Sequence, residues 1–114
     1  MKVIIAGGRD FIVRESHFLL LDDVHDKWGF QEVVSGGARG ADAGGERYAR
    51  ARNLLLKRFP ANWDKYGNAA GFIRNEEMAE YADGVILFPG GTGTYHMEQM
   101  AKKYKLKICK LRAR

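Results

Sequence analysis

The sequence predicts an α/β fold: a single Rossmann-like domain with a five-stranded parallel sheet, order 3-2-1-4-5, and helices on both faces. Three observations carry that expectation. Short apolar runs alternate with longer amphipathic stretches along the whole chain. The first run is continuously apolar, as a strand buried on both faces of a parallel sheet is. Three runs end in the same dipeptide, Gly-Gly, at residues 7–8, 36–37 and 90–91. Strands separated by helices pair in parallel through right-handed crossovers, which leaves few topologies.

The elements follow in order. "KVIIAGG" is a first strand that breaks at its glycines. "VRESHFLLLDDVHDKWG" is a helix, because Phe18, Leu21, Val24 and Trp28 recur at spacings of three and four and Gly29 closes it. "EVVSGG" is the second strand. "ADAGGERYARARN" is a second helix, and its poor helix formers Gly44 and Gly45 imply close packing on the sheet. "LLLKRFPA" is a third strand, ended by Pro60. The segment "ANWDKYGNAA", residues 61–70, is expected to be an ordered loop. "GFIRNEEMAEYA" is a helix, "DGVILFPGG" a fourth strand, "TYHMEQMAKKYK" a helix and "LKICKL" a fifth strand. No linker or low-complexity tract interrupts residues 1–114, which read as one nucleotide-binding domain.

Composition bounds the function. Apolar residues at 46% and charged residues at 29% describe a soluble globular protein. No run approaches the roughly 18 apolar residues of a membrane span, and the N-terminal run is too short for a signal peptide, so a cytoplasmic location is expected. The lone Cys109 excludes an internal disulfide and offers no metal cluster. The net charge of +5 is unevenly spread: residues 1–100 hold 12 Lys/Arg against 14 Asp/Glu, whereas residues 101–114 hold seven basic residues and no acid. Lysines beside a terminal strand guard an exposed sheet edge; the other reading is a contact with nucleic acid.

The glycine pairs lie at carboxyl ends of strands, and a doubly wound sheet brings them to one rim. Ligands of such sheets bind there, where the strand order reverses, here between strands one and four. Each loop is expected to lead into a helix whose N-terminus offers unpaired N–H groups and a positive dipole end, a setting for phosphate. Gly7, Gly8, Gly36, Gly37, Gly90 and Gly91 are therefore candidate phosphate contacts, with Ser35, Thr92, Gly93 and Thr94 beside them. Neither standard phosphate motif is present. No loop carries the Lys of the ATPase loop, and "GTGTYH" places His96 where a dinucleotide fingerprint needs its last glycine.

The loops at residues 7–10 ("GGRD") and 35–42 ("SGGARGAD"), together with Arg74 and "PGGTGT" at residues 89–94, resemble the SLOG superfamily. That superfamily joins the "Lonely Guy" phosphoribohydrolases with the DNA-processing protein of natural transformation. The similarity extends over essentially the whole chain and is greatest to the small single-domain YspA/YpsA-related branch. It implies a Rossmann-like nucleotide-binding fold, pairing of copies through helices beside the site, and, in the hydrolases, cleavage of a nucleoside 5′-monophosphate to base and ribose 5-phosphate. The enzymes' catalytic Arg stands fifteen positions before the motif's proline, the place of Arg74. Their catalytic Glu stands three after the final Thr; here that place is Met97, and the acid follows as Glu98, about 100° farther around a helix.

Other candidates surround these. Arg9 suits a phosphate, and Asp10 suits a helix cap or a ribose hydroxyl. Arg39 and Asp42 repeat the pattern, Asp42 again divided between cap and ligand. His96 could serve as donor, acid or base. Trp63 and Tyr66 either stack on a base or seal their loop. The leading function is binding of a nucleotide or nucleotide-derived ligand, AMP- or ADP-ribose-like, needing no cofactor and no metal. The alternative is the phosphoribohydrolase, which needs Arg74 and Glu98 to converge. The most distant is single-stranded nucleic-acid binding by the rim and the basic end.

Overall fold

The structure, a computed structural model, describes residues 1–112. Five parallel strands, β1 (Lys2–Ala6), β2 (Glu32–Ser35), β3 (Leu55–Arg58), β4 (Gly84–Leu87) and β5 (Lys107–Lys110), form one sheet in the order β3-β2-β1-β4-β5. The expected topology is thus observed. Five α-helices accompany them: α1 (Glu15–Trp28), α2 (Ala41–Ala51), α3 (Trp63–Tyr66), α4 (Ala70–Tyr81) and α5 (Thr92–Lys103). Among the described residues, no helix is long and apolar enough to cross a membrane.

Alternation along each central strand divides the core. Val3 and Ile5 of β1 pack with Val33, Ile86, Leu21 and Val24 on the face covered by α1 and α2. Their neighbours Ile4 and Ala6 pack with Val34, Val85, Met78 and Met97 on the face of α4 and α5. Successive strand residues point to opposite faces, so a continuous apolar run feeds both layers. Each fully buried Val or Ile contributes roughly 1.5–3 kcal/mol.

Of the α2 glycines, Gly45 packs on the sheet as the sequence implied, whereas Gly44 packs on Val13 in the segment ahead of α1. A Cβ on Gly44 would lie 2.3 Å from Cβ of Val13, and one on Gly45 would lie 2.8 Å from Cβ of Ile5. Outside this contact Asp22 ties α1 to α2, accepting from Tyr48 Oη at 2.6 Å and from Arg52 Nε and Nη2 at 2.9 and 3.0 Å.

Two expectations change. Segment 61–70 is not a loop: Asn62 accepts from the Lys65 amide at 3.0 Å and starts α3, and Gly67–Ala69 form a turn of 3₁₀-helix leading into α4. Four residues are too few to show a helical period, so only the Asn cap could have betrayed the element. The first helix begins at Glu15 rather than at residue 13, capped at Arg14, whose amide donates to Nδ1 of His17 at 2.9 Å.

Candidate functional site

The loops after β1, β2 and β4 meet backbone on backbone. The Gly8 amide donates to the Pro89 carbonyl at 2.8 Å, and the Gly8 carbonyl accepts from the Ala41 amide at 3.1 Å. Gly40, with φ at +75°, has no room for a side chain: a Cβ there would lie 2.4 Å from the Gly8 and Arg9 carbonyls. Gly90 is as tightly bound, since a Cβ would lie 2.0 Å from Oγ1 of Thr94. At Gly91 and Gly93 an added Cβ would meet nothing within 4 Å. What comes too close for side chains is therefore partly the neighbouring loop; Gly91 and Gly93 leave space unfilled.

That space belongs to a crevice of about 350 Å³ at the carboxyl ends of β1 and β4. Gly7 and Gly8, Gly91 with Gly93, Thr94 and Met97 of α5, and Arg74 and Asn75 of α4 line it. Gly36, Gly37 and Arg39 line an adjoining hollow of about 470 Å³ instead, which shares Arg9, Ala38, Trp63 and Arg74 with the crevice. Gly7, Gly8 and Gly91 thus line the crevice and Gly36 and Gly37 the adjoining hollow, with Arg74 common to both, whereas Gly90, which the sequence placed on the same rim, lines a third hollow beyond the loop after β4.

Arg74 is the fifth residue of α4, a full turn in, where an apolar helix face meets the rim. Its Nη1 donates to the Gly36 carbonyl at 2.5 Å and its Nε to Oδ1 of Asn75 at 3.1 Å. Nη2 has no hydrogen-bond partner among the described residues. Burial lowers the guanidinium's pKa from its ordinary value, against the opposing pull of Asp42. Asn75 carries the frame onward: its Nδ2 donates to the Gly93 carbonyl at 3.3 Å and to Nδ1 of His96 at 3.2 Å. The His96 ring stacks on Phe72 at 4.2 Å, and burial holds its pKa below the usual range.

Of the helix N-termini that the sequence placed at the rim, that of α5 is the open one. It starts at Thr92 after Gly91 with no side-chain cap, and first-turn amides have no partner within their helix. Its Gly93 and Thr94 line the crevice. The first amide of α2 is already taken by Gly8, and α1 begins seven residues beyond Gly8, away from the glycines.

Several predicted residues lie elsewhere. Ser35 is fully buried and lines neither hollow; its Oγ donates to Oε2 of Glu46 at 2.8 Å and accepts from the Gly37 amide at 3.0 Å, so it braces the loop from below. Asp10 pairs with Arg39 at 3.0 Å on the surface, their side chains 93% and 74% exposed, and caps no helix. Glu98 lies on the far side of the "PGGTGT" loop in a separate hollow, paired with Lys102 at 3.4 Å and Lys110 at 3.3 Å. The turn that one residue makes around a helix carries the acid out of the crevice and leaves buried Met97 facing it. Trp63, half exposed, lines both hollows, whereas Tyr66 lines neither and sits beneath the Lys65 ammonium.

Sequence reasoning passed over Asn75 and Phe72. Asn75 had a signal: it occupies the stripe formed with Met78, Ala79 and Ala82, a polar residue where a core helix wants an apolar one. Asp42, left open by the sequence, lines the crevice and accepts from the Ala38 amide at 3.2 Å, while α2 has no side-chain cap. Burial raises its carboxyl to a pKa of about 6, the Glu46 charge adding and the Ala38 amide, Arg74 and Arg9 opposing.

Comparison with known proteins fits this frame. The model of the YspA, cpYpsA-related SLOG family matches residues 1–66, the half with the loops after β1 and β2; Arg74 and the loop after β4 lie outside the matched span. The chain is also similar to the gene 61 protein of Mycobacterium phage D29, with 35% identity over 111 residues, covering 90% of this chain and 89% of the phage protein.

Proposed function

The chain belongs to the YspA, cpYpsA-related SLOG family, and from that premise we propose that it binds a nucleotide or nucleotide-derived ligand, AMP- or ADP-ribose-like, in the crevice beside β1 and β4. One observation carries the reading: Arg74, held on two acceptors with Nη2 unpartnered, stands in the same crevice as the uncapped first turn of α5. An unpartnered guanidinium Nη2 and first-turn amides together suit a phosphate. Arg9 adds a second cation, and the exposed rings of Trp63 and Phe72 offer a stacking surface for a base at the mouth.

The phosphoribohydrolase reading, as the resemblance gives it, needs Arg74 and Glu98 to converge on one ligand. Glu98 is paired with lysines in another hollow, so the geometry favours a binding module over that enzyme. The test is thermal denaturation with AMP and ADP-ribose. Ligand that binds only the folded state raises the Tm. The expected result is a rise for the wild type and none for Arg74→Ala, which retains its fold. No shift across a nucleotide panel at millimolar concentration would defeat the reading.

A further inference from the structure

We propose that Asp42 contacts the ligand as a hydrogen-bond donor: it holds a proton when an anion docks beside Arg74, so that capture takes up a proton from solution. This rests on the crevice being the ligand site. Asp42 is 8% exposed and lines the crevice from the second position of α2. Its Oδ2 is taken by the Ala38 amide, while Oδ1 accepts no hydrogen bond among the described residues. No described side-chain oxygen is both fully buried and unpartnered, so Oδ1 is open to the crevice.

The charged groups around it are few. Glu46 faces it from its own helix, one turn on; Arg74 faces it from α4, and Arg9 from the loop after β1. Arg74 makes no ion pair with Asp42; its Nη1 and Nε are held by Gly36 and Asn75. An arriving phosphate would therefore bring its charge into a small volume that already contains a carboxyl group. Two like charges so placed do not both persist, and one proton relieves them. The carboxylic acid then donates an O–H to an anionic oxygen, a short and strong bond.

The sign follows from linkage. A docked anion offsets the fields of Arg74 and Arg9 and adds repulsion, so the liganded carboxyl binds its proton more tightly than the free one, which titrates at about 6. Affinity is then greatest at low pH and falls as pH rises, by up to about tenfold per unit, until the liganded carboxyl also ionises.

Isothermal titration with ADP-ribose tests this, since its diphosphate diester has no group titrating near pH 6. It would be run from pH 5.5 to 8 in two buffers of different ionisation heat. The expected result near pH 7 is uptake of up to one proton per ligand, lost with the pH dependence in Asp42→Asn. Binding by the wild type without proton uptake overturns the proposal, as does uptake that survives in Asp42→Asn. Absence of ADP-ribose binding at every pH overturns the nucleotide reading with it.

Discussion

At the scale of single residues, the site depends on which side chains are already held. Arg74 is fixed by Gly36 and Asn75, so a lysine, with a compact ammonium and no fork, could not keep that geometry. Arg74→Lys is expected to weaken AMP at least tenfold, measured by titration calorimetry. Glu98→Gln is expected to leave AMP affinity within twofold of the wild type, because Glu98 lies outside the crevice. Asp42 has a further consequence for the unliganded fold. Its folded pKa is raised to about 6 from 3.8, so the folded state binds more protons than the unfolded one between these values. Stability therefore declines as pH rises through that window and is level above it. Asp42→Asn should flatten the decline and raise stability at pH 7.5, on the order of 2 kcal/mol, as read by denaturant unfolding at several pH values. Arg74, which lines the crevice, was singled out through the family resemblance, by its place fifteen residues before Pro89. The orientation of Ser35 was not, because its partner Glu46 lies on another element and only folding brings the two together.

At the scale of elements, glycines divide into those that seat backbone against backbone and those that leave room. Gly44→Ala would drive a methyl into Val13 and should cost on the order of 1–3 kcal/mol. Gly93→Ala, in the first turn of α5 with nothing near its added Cβ, should stabilise the protein by up to about 1 kcal/mol yet weaken AMP binding by crowding the crevice. Thermal melts with and without AMP separate the two effects. Most elements were legible because apolar periodicity is a long-range signal within a segment. The short α3 was not, and it is the element that brings Trp63 to the mouth of the crevice.

At the scale of the whole molecule, the order β3-β2-β1-β4-β5 determines where the reversal falls, and the crevice lies there, beside β1 and β4. The same order leaves β5 at an edge, with Lys107 and Lys110 exposed along it. Part of the basic end is matched locally: Lys102 and Lys110 pair with Glu98, and Lys103 pairs with Glu76; Arg114 lies outside the described residues. The excess charge that composition suggested for nucleic acid is thus partly neutralised in the fold.

The location of the ligand is the central claim, and amide chemical-shift mapping on titration with AMP tests it most directly. The expected result is saturable shifts at Gly7, Gly8, Gly91, Gly93 and Thr94, with the Arg74 Nε resonance moving alongside. Shifts confined to β5 and its lysines, or none at millimolar AMP, would contradict it.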